Sequence, residues 1–248
     1  MENMMPTGQE VIPMQTAADP HTDIVIVFYG KRSDLDACLE SIERHCTHYR
    51  MHIVDNNREN TGFTRGVNKG IRDGDAPYVW LLNQDAVVLK GAQDALINRL
   101  NCDPKIGIAA SMQLNPDDKD FITHGGTLRA FPTGLHKGGR LSRGECLFPL
   151  KQSWVNFASV MLKREMIDQI GLLDESMFLF YSDADYCYWA RYNGWQVWYE
   201  PESRVLHKLN VSSRGSDWQT KDMLVFMKKW GLRLRPEMLK ADISGTSR

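Results

Sequence analysis

The sequence predicts an α/β fold with a mostly parallel central sheet flanked by helices. Short, continuously apolar runs alternate with amphipathic segments through the first half of the chain, and polar residues close several of these runs. Because the connecting segments are short, this order is typical of parallel strands joined by right-handed crossover helices. The length of 248 residues suits one large domain with appendages, which can bury a sizeable core.

The first half of the chain supplies most of this pattern. Its apolar runs have the length of strands that are buried on both faces of a sheet. Ser33 is a candidate N-cap for the first helix, and apolar residues follow it on one stripe. We predict strands at residues 24–28, 51–54, 78–82 and 106–112, and helices at 33–44, 63–72 and 92–100.

The second half of the chain lacks this regular alternation of apolar runs and amphipathic segments. Residues 116–143 are rich in Gly, Asp, Lys and Arg, which predicts a long loop or an irregular hairpin. Asn193-Gly194 is the expected end of a helix. We predict strand-like segments at 154–164, 196–199 and 205–207, helical segments at 165–170, 183–192 and 218–230, and a polar tail at 241–248.

Composition excludes several classes of protein. The net charge of −1 gives no electrostatic case for nucleic acid as a partner. No apolar run reaches the roughly 18 residues that span a bilayer, and residues 1–21 lack the basic start and apolar core of a signal peptide. The five cysteines are scattered without CxxC spacing, which disfavours zinc and disulfides. We therefore expect a cytoplasmic protein.

Asp85 is the polar residue around which the first half is arranged. It follows Asn83 and Gln84, directly after the predicted strand 78–82. Ligands of open α/β sheets lie outside the carboxyl ends of the strands, where a carboxylate can hold a divalent cation and the cation a diphosphate. The alternative is a turn aspartate that bonds its own backbone.

The usual phosphate-binding signatures are absent after the first strand. Residues 29–33 read YGKRS, which fits neither GxGxxG nor GxxxxGK[ST]. This disfavours a dehydrogenase or a P-loop enzyme.

Several motifs instead occur together in one order. They are VDNN at the end of the second strand, NxGFxxxxNxG from Asn60, LLNQDAVV, VNFASVMLKRE, IGLLDESMFLFYSDADYCYWARYNGW, and VWYEPESRVLHKLNVSS. From about residue 23 to residue 213, the chain resembles the inverting family-2 glycosyltransferases, most closely their rhamnosyltransferase-like branch. The resemblance implies a GT-A type, Rossmann-like sheet with a smaller acceptor-side subregion.

The resemblance implies a nucleotide-sugar site in the first half. Asp55 would contact the base, although an aspartate in this Asp-Asn-Asn cluster also suits a turn. A helix beginning near Phe63 would offer free backbone N–H groups to phosphate. The remaining residues that would shape the donor pocket are Asn60, Gly62, Asn68 and Asn83.

The resemblance also implies a divalent cation, Mn²⁺ or Mg²⁺. Asp85 matches the last acid of the family's DxD-type motif, and the neutral Asn83 stands at its first position, which should weaken metal binding. His207 matches a histidine that in relatives reaches the metal or the diphosphate; the alternative is a structural histidine.

Asp183 takes the position of the family's catalytic base, and Ser182 replaces the glutamate before it. Asp185 lies two residues on, so its side chain points about 200° away on a helix, and one of the two carboxylates should serve structure. Asp183 also suits helix capping. The helix dipole is expected to lower its basicity.

The resemblance therefore implies metal-assisted, inverting sugar transfer from a dTDP- or UDP-linked donor to a hydroxyl of a glycan or lipid-linked glycan, with rhamnose as the candidate sugar. Residues 125–143, Trp154 and Trp189 are candidates for the acceptor side. The basic amphipathic stretch 221–240 is a candidate for peripheral contact with the inner face of a membrane, or for packing on its own domain.

The alternative functions are a nucleotide-sugar-binding module without catalysis and a nucleotidyltransferase. We divide the chain into an N-terminal extension (1–21), a nucleotide-sugar-binding half (22–115), an acceptor-side catalytic half (116–215), and a C-terminal helix and tail (216–248).

Overall fold

The computed structural model describes residues 21–129, 135–208, 217–231 and 233. Its helices are α1 Arg32–His45, α2 Phe63–Arg72, α3 Ala92–Asn101, α4 Arg164–Ile170, α5 Ser182–Tyr192 and α6 Trp218–Trp230. Its strands are β1 Thr22–Phe28, β2 Tyr49–Asp55, β3 Tyr78–Leu82, β4 Val87–Val88, β5 Ile106–Asn115, β6 Asp118–His124, β7 Thr127–Arg129, β8 Leu135–His136, β9 Gly139–Arg140, β10 Leu150–Gln152, β11 Ser159–Lys163 and β12 Gln196–Leu206. The predicted polar tail and nearly all of the N-terminal extension lie outside the described residues.

The central sheet is mostly parallel, as predicted. Within the described ranges, ten strands form it, and its main path runs β10-β12-β5-β11-β3-β1-β2. Strands β1, β2 and β3 are mutually parallel, and β5 and β12 are parallel to each other. Strand β11 lies antiparallel between β3 and β5, so it joins the two parallel groups. The first and second halves of the chain therefore share one sheet.

Period-two alternation along the strands divides the core between the two faces of the sheet. In β1, Ile24 and Ile26 pack with α1 and α3 on one face, and Val25 packs on the other with α2, α4 and α5. In β3, Trp80 and Leu81 alternate in the same way. Burial on both faces explains why these strands are continuously apolar in sequence.

Three segments differ in detail from the prediction. The two strands expected at 196–199 and 205–207 form the single strand β12, which ends at Leu206 and has a register shift between Glu200 and Arg204. The strand expected at 154–164 is shorter and begins at Ser159. Of the two alternatives for residues 116–143, the irregular hairpin is confirmed in the described part, because β6 pairs with β5 and β9. Local apolar pattern does not encode where pairing stops.

The buried carboxylate of Asp23 links β1 to neighbouring elements of the fold. Asp23 of β1 bonds Arg50 at 2.8 Å, His52 at 3.0 Å, Arg164 at 2.9 Å and the amide of Ala76 at 2.8 Å. Burial alone would raise the pKa of Asp23, but these bonds outweigh it and lower the pKa to about 2. Asp23 thus ties β1 to β2 and to the start of α4.

No described helix combines the length and the apolar character that crossing a bilayer requires.

Candidate active site

The carboxyl ends of β1, β2 and β3 meet at one edge of the sheet, where polar side chains replace the apolar core. The amide of Gln84 bonds both backbone groups of Tyr29, accepting from its N–H at 2.5 Å and donating to its carbonyl at 2.6 Å. Asn57 accepts from the N–H of Gly30 at 2.8 Å. Sequence analysis gave neither amide a role, although Gln84 lies in the motif that pointed to Asp85.

Asp85 and His207 come together at this edge although 122 residues of sequence separate them. The Nε2 atom of His207 lies 3.4 Å from Oδ1 of Asp85 and 3.4 Å from Nδ2 of Asn83. Asp85 is 20% exposed and His207 6%, so the pair lies at the boundary between solvent and core. The three predicted residues therefore form one cluster.

The orientation of His207 is set by a residue that sequence analysis missed. Nε2 of Gln113 donates to Oδ1 of Asn156 at 3.1 Å, which leaves its Oε1 to accept from Nδ1 of His207 at 3.0 Å. With Nδ1 bonded to Gln113, the Nε2 atom of the ring faces Asp85. A hydrogen-bonded partner of this kind orients metal-ligating histidines.

This donor set fits a weakly held divalent cation. Among the described residues, no group of three or more His, Cys, Asp or Glu side chains could hold a metal ion. Asp85 supplies one carboxylate, His207 one imidazole nitrogen and Asn83 an amide, so a cation here must complete its ligands from substrate or water. That these residues hold a cation, and hold it weakly, stays a prediction.

The predicted donor residues Asp55 and Asn60 make turn contacts. Oδ1 of Asp55 accepts from both nitrogens of Asn57 at 2.8 Å, and Oδ1 of exposed Asn60 accepts from the N–H of Gly62 at 3.0 Å. Buried Asn56, which sequence analysis passed over, bonds the carbonyl of Gly62 at 3.0 Å. These bonds shape the 55–62 loop, and contact of Asp55 with a base stays a prediction.

The start of α2 is occupied by protein. The carbonyl of Phe178 accepts from the N–H groups of Phe63 at 2.8 Å and Thr64 at 3.4 Å. The prediction that this helix offers free N–H groups to phosphate is therefore wrong for these two amides. Gly62 permits the approach: its φ is +88°, and a Cβ there would lie 2.6 Å from the carbonyl oxygen of Phe178.

Asn68 is buried and bonds the segment that precedes α5. Its Nδ2 donates to the carbonyl of Leu173 at 2.8 Å and to Glu175 at 3.0 Å, and its Oδ1 accepts from the N–H of Leu173 at 3.0 Å. The structure thus uses Asn68 to fasten this segment to α2, and its part in the donor pocket stays a prediction.

The two carboxylates of α5 have different surroundings. Asp185 is buried against α6, where it accepts from Nζ of Lys229 at 2.8 Å and Nε1 of Trp230 at 2.6 Å. Asp183 is half-buried in the first turn and accepts from the N–H of Ala184 at 2.8 Å. Asp185 thus takes the structural place that the spacing predicted for one of the pair.

Burial raises the pKa of Asp183 from 3.8 to about 6, although the backbone N–H groups of Ala184 and of Asp183 itself act in the opposite direction. The pKa of Asp183 is thus raised overall, and the expectation that the helix N-terminus lowers the basicity of this residue is wrong. Desolvation of the carboxylate outweighs the first-turn amides. A carboxylate with this pKa is charged at neutral pH and can accept a proton.

The two candidate acceptor-side tryptophans make packing contacts. Trp154 is 1% exposed, and its ring centroid lies 5.1 Å from that of His136. Trp189 bonds the carbonyl of Ile170 at 2.8 Å and stacks on Tyr192. Neither arrangement singles out a sugar-binding face.

His136, within the candidate acceptor segment 125–143, pairs with His124, which lies just before that segment. Nδ1 of His124 lies 2.8 Å from Nδ1 of His136, while Nε2 of His124 is buried without a hydrogen-bond partner. Burial lowers the pKa of His136 to about 4 and that of His124 well below its usual range, so both rings are neutral at pH 7.

Comparison with known proteins places these features in context. A protein-family model described as "Glycosyltransferase like family 2" matches residues 10–222. A search of curated protein sequences found no match.

Two solved structures show the same fold. GalNAc-T7, in a crystal structure with UDP, GalNAc and Mn²⁺, is similar at a TM-score of 0.67 and 16% identity, over 86% of this chain and 48% of that one. The mannosyltransferase PcManGT from Pyrobaculum calidifontis, in complex with GDP-Man and Mn²⁺, is similar at a TM-score of 0.59 and 14% identity, over 94% of this chain and 70% of that one. The chain thus spans about half the length of GalNAc-T7. The predicted GT-A fold is confirmed.

Proposed function

Because the chain belongs to glycosyltransferase family 2, we propose that it transfers a sugar from a nucleoside diphosphate sugar to an acceptor hydroxyl with inversion. The observation that carries the proposal is Asp183: a half-buried carboxylate with its pKa raised to about 6, at the position that the family resemblance gives to the base. Asp85 and His207 support it, since they lie together at the carboxyl edge of the sheet, where α/β folds bind ligands.

Asp183 is the general base of the proposed reaction. It takes the proton of the acceptor hydroxyl while that oxygen bonds the anomeric carbon and the bond from this carbon to the diphosphate oxygen breaks. The displaced diphosphate carries away the electron pair, and attack from the opposite side inverts the anomeric centre. A pKa of about 6 suits this task, because the carboxylate is ionised at neutral pH yet still basic.

Asp85 and His207, with Asn83, would hold the divalent cation. A cation bound there supplies positive charge that stabilises the departing diphosphate. Gln113 keeps the Nε2 atom of His207 facing this position. Mn²⁺ is present with both similar structures, which supports Mn²⁺ over Mg²⁺ as the first metal to test.

The donor is proposed to be dTDP- or UDP-linked, with rhamnose as the first sugar to test. UDP in the GalNAc-T7 structure supports a nucleoside diphosphate, and GDP-Man in the other makes GDP-linked sugars necessary comparisons. The proposed acceptor is a hydroxyl of a glycan or lipid-linked glycan.

Contact with an anionic membrane through α6 is part of the same proposal. Phe226 and Trp230 pack into the core, while Leu224 is 62% and Met227 43% exposed beside Lys228. One face of the helix is thus used by the domain, and the other remains apolar and basic. Residues 232 and 234–240 of the predicted stretch lie outside the described residues. Sedimentation with anionic vesicles tests this contact: without salt-sensitive binding, it is contradicted.

The decisive experiment is a panel of nucleotide sugars with and without Mn²⁺. A donor should raise the melting temperature only with metal, since a ligand that binds the native state stabilises it. Turnover of that donor in labelled form, and NMR of the product's anomeric configuration, then test transfer and inversion. Binding without turnover would indicate a non-catalytic module, and pyrophosphate release from a sugar phosphate and a nucleoside triphosphate would indicate a nucleotidyltransferase.

A further inference from the structure

The segment before α5 is held by one carboxylate of the last helix. The N–H groups of Phe178, Leu179 and Phe180 point at Asp222 of α6. The first donates to Oδ1 at 3.0 Å, and the other two donate to Oδ2 at 2.8 Å each. Asp222 is 1% exposed, so these bonds form away from water, where charge-assisted hydrogen bonds are strong.

The same segment is fastened on its other side to α2. The peptide carbonyl of Phe178 accepts from the N–H of Phe63 at 2.8 Å, and Asn68 bonds both backbone groups of Leu173. Phe178 is therefore fixed through both its N–H and its carbonyl, by helices that are far apart in sequence.

The fixed segment leads directly to the candidate base. Tyr181 follows Phe180 with a left-handed φ of +64°, and α5 begins at the next residue. Asp183 is thus three residues beyond the last amide that Asp222 holds. A left-handed conformation at a tyrosine is unfavourable and persists only where surrounding contacts impose it.

We propose that Asp222 is a positioning residue for sugar transfer. By accepting three successive amide bonds, it fixes the segment that sets the place of Asp183 against the acceptor hydroxyl. This inference rests on the proposed function, and it assigns α6 a part in catalysis through the backbone of residues 178–180. A misplacement of about 1 Å can cost about 10²-fold in rate, so loosening this segment should reduce turnover more than donor binding.

The purely structural alternative is that Asp222 only docks α6. The helix has a second attachment that serves as a matched control, because Trp230 donates to Asp185 at 2.6 Å without touching the held amides. Trp230→Phe removes that bond and keeps a smaller aromatic ring in the core. It should lower the melting temperature while leaving kcat within about twofold of the parent.

Asp222→Asn is the test variant. One amide oxygen can replace Oδ2, but the NH₂ group then faces the N–H of Phe178, so at least one of the three bonds is lost. We expect faster hydrogen exchange at residues 178–180, a fall in kcat of about 10- to 100-fold, and unchanged donor affinity and KM. All 248 residues of the chain are kept throughout, with Mn²⁺ and the donor that the parent turns over.

Two results would overturn the positioning role: released amides with kcat within twofold of the parent, or equal kcat losses in Asp222→Asn and Trp230→Phe. If Asp222→Asn does not fold, Trp218→Ala decides, because Trp218 is a surface residue that stacks on Phe178 at 4.2 Å. A smaller fall in kcat at constant KM supports the proposal, and unchanged kcat contradicts it. A parent without transferase activity contradicts the proposed function instead, and exchange at residues 178–180 still shows whether Asp222 holds these amides.

Discussion

Replacing Asp183 by asparagine separates a catalytic from a structural carboxylate. Asparagine has nearly the same shape, and its oxygen can still accept the N–H of Ala184, as Oδ1 of Asp183 does at 2.8 Å. It cannot accept a proton at neutral pH. A positioned general base contributes about 10²- to 10⁴-fold, so kcat should fall by this factor, equivalent to about 3–5 kcal/mol of barrier.

The pKa of Asp183 gives two further expectations for the same variant. With a pKa of about 6, the carboxylate is roughly nine-tenths ionised at pH 7, and parental turnover should decline about tenfold per pH unit below pH 6. The residual activity of Asp183→Asn should lack this limb. An acid whose folded pKa is raised above 3.8 destabilises the fold once pH exceeds that value, so the variant should be at least as stable as the parent at pH 7.

The assay is single-turnover transfer from labelled donor at saturating acceptor, which measures chemistry without product release. Donor affinity and melting temperature are measured in parallel. Asp185→Asn is the matched control: it weakens the bonds to Lys229 and Trp230, so it should lose stability and little rate. If Asp183→Asn keeps more than about a third of parental turnover, Asp183 is not the base.

Three further predictions concern the side chains around Asp85 and His207 and the buried hydrogen bonds of Asp23. Asp85→Ala should stay folded but lose Mn²⁺-dependent binding of the nucleoside diphosphate in calorimetric titration; equal affinity at saturating metal would remove Asp85 from the site. Gln113→Leu should weaken Mn²⁺ binding by about 10- to 100-fold, because it removes the acceptor that orients His207; an unchanged titration would contradict that role. Asp23→Asn should lower the free energy of unfolding at pH 7 by on the order of 2 kcal/mol, since folding lowers the pKa of Asp23 from 3.8 to about 2. That contribution is present above pH 3.8 and is lost as pH falls through about 2, so urea melts of the variant should show a weaker pH dependence in this window.

Local patterns predicted most of the elements. Apolar runs of strand length located β1, β2, β3 and β5, and helical periodicity located α1 to α3 close to their observed bounds. Asp85 was found at the end of β3 because a polar residue that closes a buried strand is visible without any tertiary information. Burial on both faces of a sheet leaves a local trace in sequence.

Long-range contacts carry no such trace. The antiparallel insertion of β11 between β3 and β5 could not be predicted, because an apolar run specifies burial and leaves direction and neighbours open. The hydrogen bonds from the first amides of α2 to the carbonyl of Phe178 likewise could not be predicted, because Phe178 lies more than a hundred residues further along the chain. Motif resemblance could suggest His207 beside Asp85, but the orientation of its ring depends on Gln113, which no motif marked.

For this protein, the sequence by itself determined the α/β class, the order of most elements and the family motifs. These follow from periodicity and residue spacing, which are properties of the chain before it folds. Only the tertiary structure decided which of two neighbouring carboxylates is tied to α6, and it is Asp185. Burial raises the pKa of both carboxylates, but only Asp185 is bonded by Lys229 and Trp230 of α6. Desolvation and distant partners exist only once the chain is folded, so the chemistry of each carboxylate is set there.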